Sequence, residues 1–197
     1  MSDTFHTLDA PSEGIYKEKM SKFLAFAIPV VSAKEAKEHI GAYQKKYFDA
    51  RHVCWAYMIG AARTEFQSND NGEPSGTAGK PILGQINSFG LTNLLIVVVR
   101  YFGGIKLGTP GLIAAYREAA RLAIEDSGRK EVVEEAQIAL TCRYESVNGV
   151  MKIVKELNLT IVSQEMGMEC SYVLSMPRSF LDGVSGRLDK LNGVRME

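Results

Sequence analysis

Between Phe23 and Val31 apolar residues occupy both alternating sets, Phe23, Ala25 and Ala27 on one side and Leu24, Phe26 and Ile28 on the other. A strand apolar on both faces belongs inside a sheet. The period then changes. Ser32 and Glu35 form a capping box, in which the hydroxyl accepts an amide bond at the helix start and the carboxylate reaches back, and Ala36, Ile40, Tyr43 and Tyr47 follow at helical spacing. A helix over 33–47 is predicted. Val53 to Ile59 is rich in strand formers and is closed by Gly60, and Leu94 to Val99 is an unbroken branched run, as in a strand buried on both faces. Thr109 reads as the N-cap of a helix over 110–126, with Pro110 in the first turn, where its missing donor costs nothing, and Gly128 as its stop. That helix presents Leu112, Ala115, Ala119, Leu122 and Ala123 to a core.

The segment 68–81 has no periodicity, three glycines and two prolines, and reads as one long loop. Arg129, Lys130, Glu131, Glu134 and Glu135 then form a charged run, and a domain boundary is expected there, giving domains 1–130 and 131–197. Beyond it the pattern reads strand (137–143), helix (147–157), strand (160–164), strand (169–176) and helix (180–191). That βαββα order is a ferredoxin-like unit whose last strand is short or missing. The fold class is therefore α+β in two domains.

Charge refines this division. The 197 residues carry 23 Lys+Arg and 23 Asp+Glu, which excludes a general attraction to polyanions. The zero is a sum: residues 1–130 hold 16 basic against 13 acidic side chains, and 131–197 hold 7 against 10. Cys54, Cys142 and Cys170 are too few and scattered for a disulfide framework or a CxxC zinc knuckle, which points to a reducing cytosol. Residues 1–12 lack the basic start and apolar stretch of a secretory signal, and no apolar run approaches the roughly 20 residues that span a bilayer. Neither a cofactor nor a metal site is expected, since no HxxxH, HExxH or carboxylate cluster occurs.

Two glycine-rich segments carry the candidate chemistry. The first holds Gly72, Glu73, Gly76, Thr77, Gly79 and Lys80 but fails the Walker A test, because Lys80 is followed by Pro81 and Pro74 replaces the first glycine. The second, at the exit of the buried strand, holds Arg100, Tyr101, Phe102, Gly103, Gly104, Lys106 and Gly108 ahead of a helix N-terminus, where amides attract anions. Arg100 emerges from the core edge either as half of an ion pair with Glu73 or as an anion anchor. His52 and Cys54 fall on one strand face, but no orienting group or oxyanion pocket is evident, and Cys54 reads as a small core residue. His52 remains a candidate site member, and no residue is assigned a catalytic role.

Taken together, Ala50-Arg51-His52-Val53-Cys54-Trp55-Ala56-Tyr57, Asn71-Gly72-Glu73-Pro74-Ser75-Gly76-Thr77-Ala78-Gly79-Lys80-Pro81 and Val97-Val98-Val99-Arg100-Tyr101-Phe102-Gly103-Gly104-Ile105-Lys106-Leu107-Gly108 resemble the IMPACT family, which includes the bacterial YigZ-type proteins. The resemblance covers about residues 15–125. Asn71 stands where the family usually has aspartate, and Pro110 where it usually has glycine. The resemblance implies an N-terminal domain like the second domain of small-subunit ribosomal protein five and a C-terminal one like domain V of elongation factor G. It implies a link to translation, since eukaryotic members regulate it, and the fold group also contains small-molecule kinases.

The expected function is that of a cytosolic translation-associated regulator, not an enzyme, binding RNA, a ribosome or a translation-associated protein. Lys80, Arg100 and Lys106 would be its anion contacts and Tyr101 or Phe102 a stacking surface. The alternative is a binder or enzyme acting on a small phosphorylated ligand between the two glycine-rich loops, with His52 or Glu73 as acid or base. No membrane partner is expected.

Overall fold

A computed structural model describes residues 3–197. By its internal contacts the chain divides into Phe5–Val132 and a second unit of Val133–Glu197 with Asp3 and Thr4.

Strands β1 (Thr4–Leu8) and β7 (Arg129–Val133), which lie in the first unit except for Thr4 and Val133, pair in a two-stranded ribbon. The main sheet contains β2 (Ser12–Glu18), β3 (Ser21–Pro29), β4 (His52–Ile59), β5 (Glu65–Asn69) and β6 (Leu94–Tyr101) in the order β2-β3-β6-β4-β5. Every neighbouring pair is antiparallel. It follows that β3 and β4 run parallel on either side of β6, joined by α1 (Ala33–Lys46). Likewise β5 and β6 run parallel on either side of β4, joined by α2 (Gly79–Ser88). These are two split βαβ units.

Alternation along the strands divides the core into two layers. Phe23, Ala25 and Ala27, Cys54, Ala56 and Met58, and Leu94, Ile96 and Val98 pack against α2 and α3 (Gly108–Glu125). Phe26 and Ile28, Val53, Trp55 and Tyr57, and Leu95, Val97 and Val99 pack against α1. Leu94 to Val99 are entirely buried, as a central strand requires. The capping box forms with its return bond one residue early: the Glu35 amide donates to the Ser32 hydroxyl at 3.2 Å, and the Glu35 carboxylate accepts from the amide of Val31 rather than of Ser32, at 2.8 Å.

Several local expectations are corrected. The segment 68–81 is not a single loop, because β5 ends at Asn69 and α2 begins at Gly79. Pro81 lies in the first turn of α2, where a missing amide donor is tolerated. Thr109 is not an N-cap: α3 starts at Gly108, in the left-handed region at φ +71°, and Leu107 precedes it without a side-chain cap. Gly128 does not end α3 as a left-handed stop; it lies against the Asp9 side chain, whose Oδ2 would be 2.3 Å from a Cβ there and would have to move. Leu122 is only partly buried, whereas Tyr116, Ala120 and Ile124 join the core.

The second unit carries β8 (Glu135–Cys142), α4 (Val147–Glu156), β9 (Thr160–Met166), β10 (Cys170–Pro177), α5 (Leu181–Leu188) and β11 (Val194–Met196). The sheet order β11-β8-β10-β9, antiparallel throughout, is the ferredoxin-like arrangement. Leu140, Leu174, Val150, Val184 and Leu188 form its core. The last strand is present and short, three residues long.

Candidate functional site

The register of the main sheet places Arg100 of β6 directly between Phe23 of β3 and His52 of β4. All three side chains belong to the face covered by α2 and α3. At this end β5 and β6 also finish, so the segments 70–78 and 102–107 leave the sheet side by side.

The first segment is held by Asp70. One carboxylate oxygen accepts from the Ala78 and Gly79 amides at 3.0 and 2.8 Å, and the other from the Gly76 amide at 2.8 Å. Burial opposes ionisation of this carboxyl, but the three amides outweigh it and, with Lys80, hold its pKa below the ordinary value. Asp70 thus caps α2 from eight residues upstream. Within the turn the Thr77 hydroxyl donates to the Pro74 carbonyl at 2.6 Å, so Thr77 closes the loop on itself. Asn71 Oδ1 accepts from the Val53 amide at 2.8 Å, a backbone contact that needs no carboxylate.

Glu73 is carried inward by this loop. It is 8% exposed, and its Oε1 accepts from Arg100 Nη1 at 2.6 Å and from the Tyr116 hydroxyl at 2.8 Å. Arg100 is 5% exposed, its guanidinium lies 5.5 Å from the Phe23 ring centre and 5.6 Å from that of Phe102, and its Nε finds no partner among the described residues. Of the two readings of Arg100, the ion pair with Glu73 is the one formed. Burial pushes the Cys54 thiol up to about 12, with the Tyr116 hydroxyl partly offsetting it; burial and the neighbouring Cys54 and Glu73 also push the Tyr116 phenol upward. Neither group ionises near neutrality, which removes Cys54 as a nucleophile.

His52 Nδ1 lies 2.8 Å from the Asn71 carbonyl oxygen. A carbonyl only accepts, so Nδ1 carries a proton, and Nε2 is an acceptor whenever the ring is neutral. That Nε2 stands 3.9 Å from Glu73 Oε1.

These groups surround a cleft of about 450 Å³. Gly72, Glu73 and Pro74 form one wall, Lys106 to Thr109 at the start of α3 the opposite wall, and His52, Arg100 and Leu112 the floor, with Arg51 and Phe102 at the side. The two glycine-rich segments therefore line one cavity. Phe102 is 40% exposed, and the Arg51 guanidinium lies 5.8 Å from its ring centre. Arg51 and Lys106 are exposed, and among the described residues neither is in an ion pair.

Not every expected site residue joins this cavity. Lys80 is exposed in the first turn of α2 and does not line it. Tyr101 points to the opposite sheet face, packs with the α1 layer and donates to Asp49 Oδ1 at 3.0 Å, because adjacent strand residues alternate faces. Gly72, Gly76, Gly104 and Gly108 adopt left-handed φ values, whereas Gly79 and Gly103 are required by close approach. A Cβ on Gly103 would lie 2.1 Å from the Met20 carbonyl carbon in the β2–β3 turn. Arg51, Asp70 and Tyr116 were not singled out by the sequence. Only Arg51, beside His52 in a charged-aromatic stretch, carried a signal. Among the described residues no cluster of three or more His, Cys, Asp or Glu could hold a metal, and no helix is long and apolar enough to cross a membrane.

Comparison with known proteins agrees with this geometry. The Impact N-terminal domain model matches residues 19–124, which span both glycine-rich segments and the cleft between them. An IMPACT family member of Bacillus subtilis, YvyE, is 37% identical over 78% of this chain and 69% of its own length. YigZ of Escherichia coli is 32% identical over 79% and 78%. A solved structure described only as a hypothetical protein superposes over 100% of this chain and 97% of its own, with a TM-score of 0.74 and 26% identity. The family model covers more than half of the chain and the two bacterial relatives extend over more than three quarters of it, so this protein belongs to the IMPACT family.

Proposed function

We propose that this protein is a cytosolic, translation-associated regulator that binds RNA, with one unstacked nucleotide seated in the cleft between the two glycine-rich segments. The observation that carries the reading is the lining of the cleft: an exposed Phe102 ring flanked by Arg51, together with Lys106 and an uncapped start of α3. An aromatic face stacks a base for about 1–3 kcal/mol, and the two cations with the α3 amides receive phosphate. Arg100 contributes less, since Glu73 already neutralises it. Membership of the IMPACT family supports the link to translation that the resemblance implied.

The test is the affinity for a single-stranded oligouridylate as a function of salt. With two phosphate contacts the logarithm of affinity should fall against the logarithm of salt with a slope of about −1.4, and the Arg51→Gln, Lys106→Gln double variant should lose most of that slope. No binding at low salt, or a slope unaltered in the double variant, contradicts the reading.

The volume of the half-enclosed cleft, about 450 Å³, favours a second reading, a free small phosphorylated ligand. A thermal-shift screen with nucleotides and sugar phosphates separates the two, because a ligand at 100 times its dissociation constant should add about 2.7 kcal/mol of stability.

A further inference from the structure

His52 and Glu73 line the same cavity with Nε2 and Oε1 3.9 Å apart, and in the neutral imidazole both atoms are hydrogen-bond acceptors. The tautomer is fixed by geometry, since Nδ1 is spent on the Asn71 carbonyl. Among the described residues no donor reaches Nε2, while Glu73 Oε1 accepts hydrogen bonds from Arg100 and Tyr116. Both lone pairs of Glu73 Oε1 are thereby used, so the free acceptor at this point of the cleft is Nε2 of the neutral imidazole. The floor of the cleft is thus built to accept a hydroxyl or amine hydrogen. Phosphate cannot supply one at neutral pH, because an ionised phosphodiester has only acceptors.

The mouth of the same cleft has the opposite character. Arg51, Lys106 and the first amides of α3 are donors only. A ligand satisfying both ends carries acceptors at one end and a donor close by. A ribonucleotide does so, its phosphate oxygens being a few bonds from the 2′-hydroxyl, whereas a deoxyribonucleotide within a strand lacks the donor.

We propose that His52 Nε2, with Glu73 beside it, accepts the hydrogen of a ribose 2′-hydroxyl, so that the cleft selects RNA over DNA. This rests on the RNA-binding reading above and assigns the group that discriminates. A hydroxyl-to-imidazole bond in a half-enclosed site changes affinity by about tenfold. His52 acts here as a specificity residue.

The experiment compares an oligouridylate with an oligodeoxyuridylate of equal length and identical bases, so that only the 2′-hydroxyls differ. The wild-type chain should bind the ribo strand about tenfold more tightly. In His52→Asn the amide nitrogen can still donate to the Asn71 carbonyl but nothing replaces Nε2, and the ribo-to-deoxy ratio should fall toward one. In His52→Gln the side-chain oxygen reaches the Nε2 position, and a good part of the ratio should return. Equal binding of both strands by the wild type overturns the inference and leaves RNA binding standing. A ratio that persists in His52→Asn also overturns it, since the hydroxyl is then read elsewhere. Failure of both strands to bind overturns the inference together with the reading it rests on.

Discussion

Arg100 Nη1 lies 2.6 Å from Glu73 Oε1 in a setting where both side chains are more than nine-tenths buried, and the two residues come from the two different glycine-rich segments. The pair therefore fastens one wall of the cleft to its floor. Removing either partner strands a buried charge, at a cost of about 3–5 kcal/mol. Arg100→Leu and Glu73→Leu should each lower the urea midpoint accordingly, while the double variant should be less destabilised than the two losses added together. Additive losses in the double-mutant cycle would show that the pair is not coupled.

Tyr116 donates to the same carboxylate from α3 at 2.8 Å. Tyr116→Phe keeps the ring, which packs edge-on against Phe23 at 5.1 Å, and deletes only the hydroxyl. A loss of about 1.5–3 kcal/mol is expected for a bond to a charged acceptor. Equilibrium unfolding measures it, and an unchanged stability would remove Tyr116 from the network.

Asp70 contributes to the acid limb of stability. Its folded-state pKa is lowered below the ordinary 3.8, so its contribution is complete above pH 3.8 and is lost as pH falls through the lower folded-state value. Asp70→Asn cannot ionise. It should be less stable than wild type at pH 7, and the difference should shrink as pH is lowered below about 4. A difference constant down to pH 2 would mean that the three amide bonds do not depend on the charge.

How far these features were readable differs from residue to residue. Leu94 to Val99 and the Ser32–Glu35 box were legible because their signals are local: an apolar run and a spacing of three. The ferredoxin-like unit was legible in its order of elements for the same reason. α2 was not, because its cap is Asp70, distant in sequence, and because Gly79-Lys80-Pro81 has the composition of a turn. Thr109 misled because a left-handed Gly108 starts α3 without a polar cap. The Glu73–Arg100 pair could be named only as one of two options, and Tyr116, which completes it, lies on an unremarkable core face of a helix. Pairing across a sheet decides such contacts, and a single sequence does not display register.

Gly103 tests the junction between the second glycine-rich segment and the β2–β3 turn. Its amide donates to the Ser21 hydroxyl at 3.2 Å, and a methyl group there has no room beside Met20. Gly103→Ala should force the two backbones apart and cost about 1–3 kcal/mol, with a matching fall in RNA affinity as Phe102 and Lys106 shift. Gly84→Ala, in an exposed position with open space around it, is the control and should be neutral or stabilising.

The central claim is that an RNA nucleotide occupies the cleft against Phe102. It is tested most directly by photocrosslinking a 4-thiouridine-containing single-stranded RNA to the full chain, digesting with trypsin and locating the adduct by mass spectrometry. The account predicts crosslinks in the peptide Tyr101–Lys106, which carries the exposed aromatic, and their loss in Phe102→Ala. Crosslinks confined to other peptides, or an unchanged yield in Phe102→Ala, would contradict it.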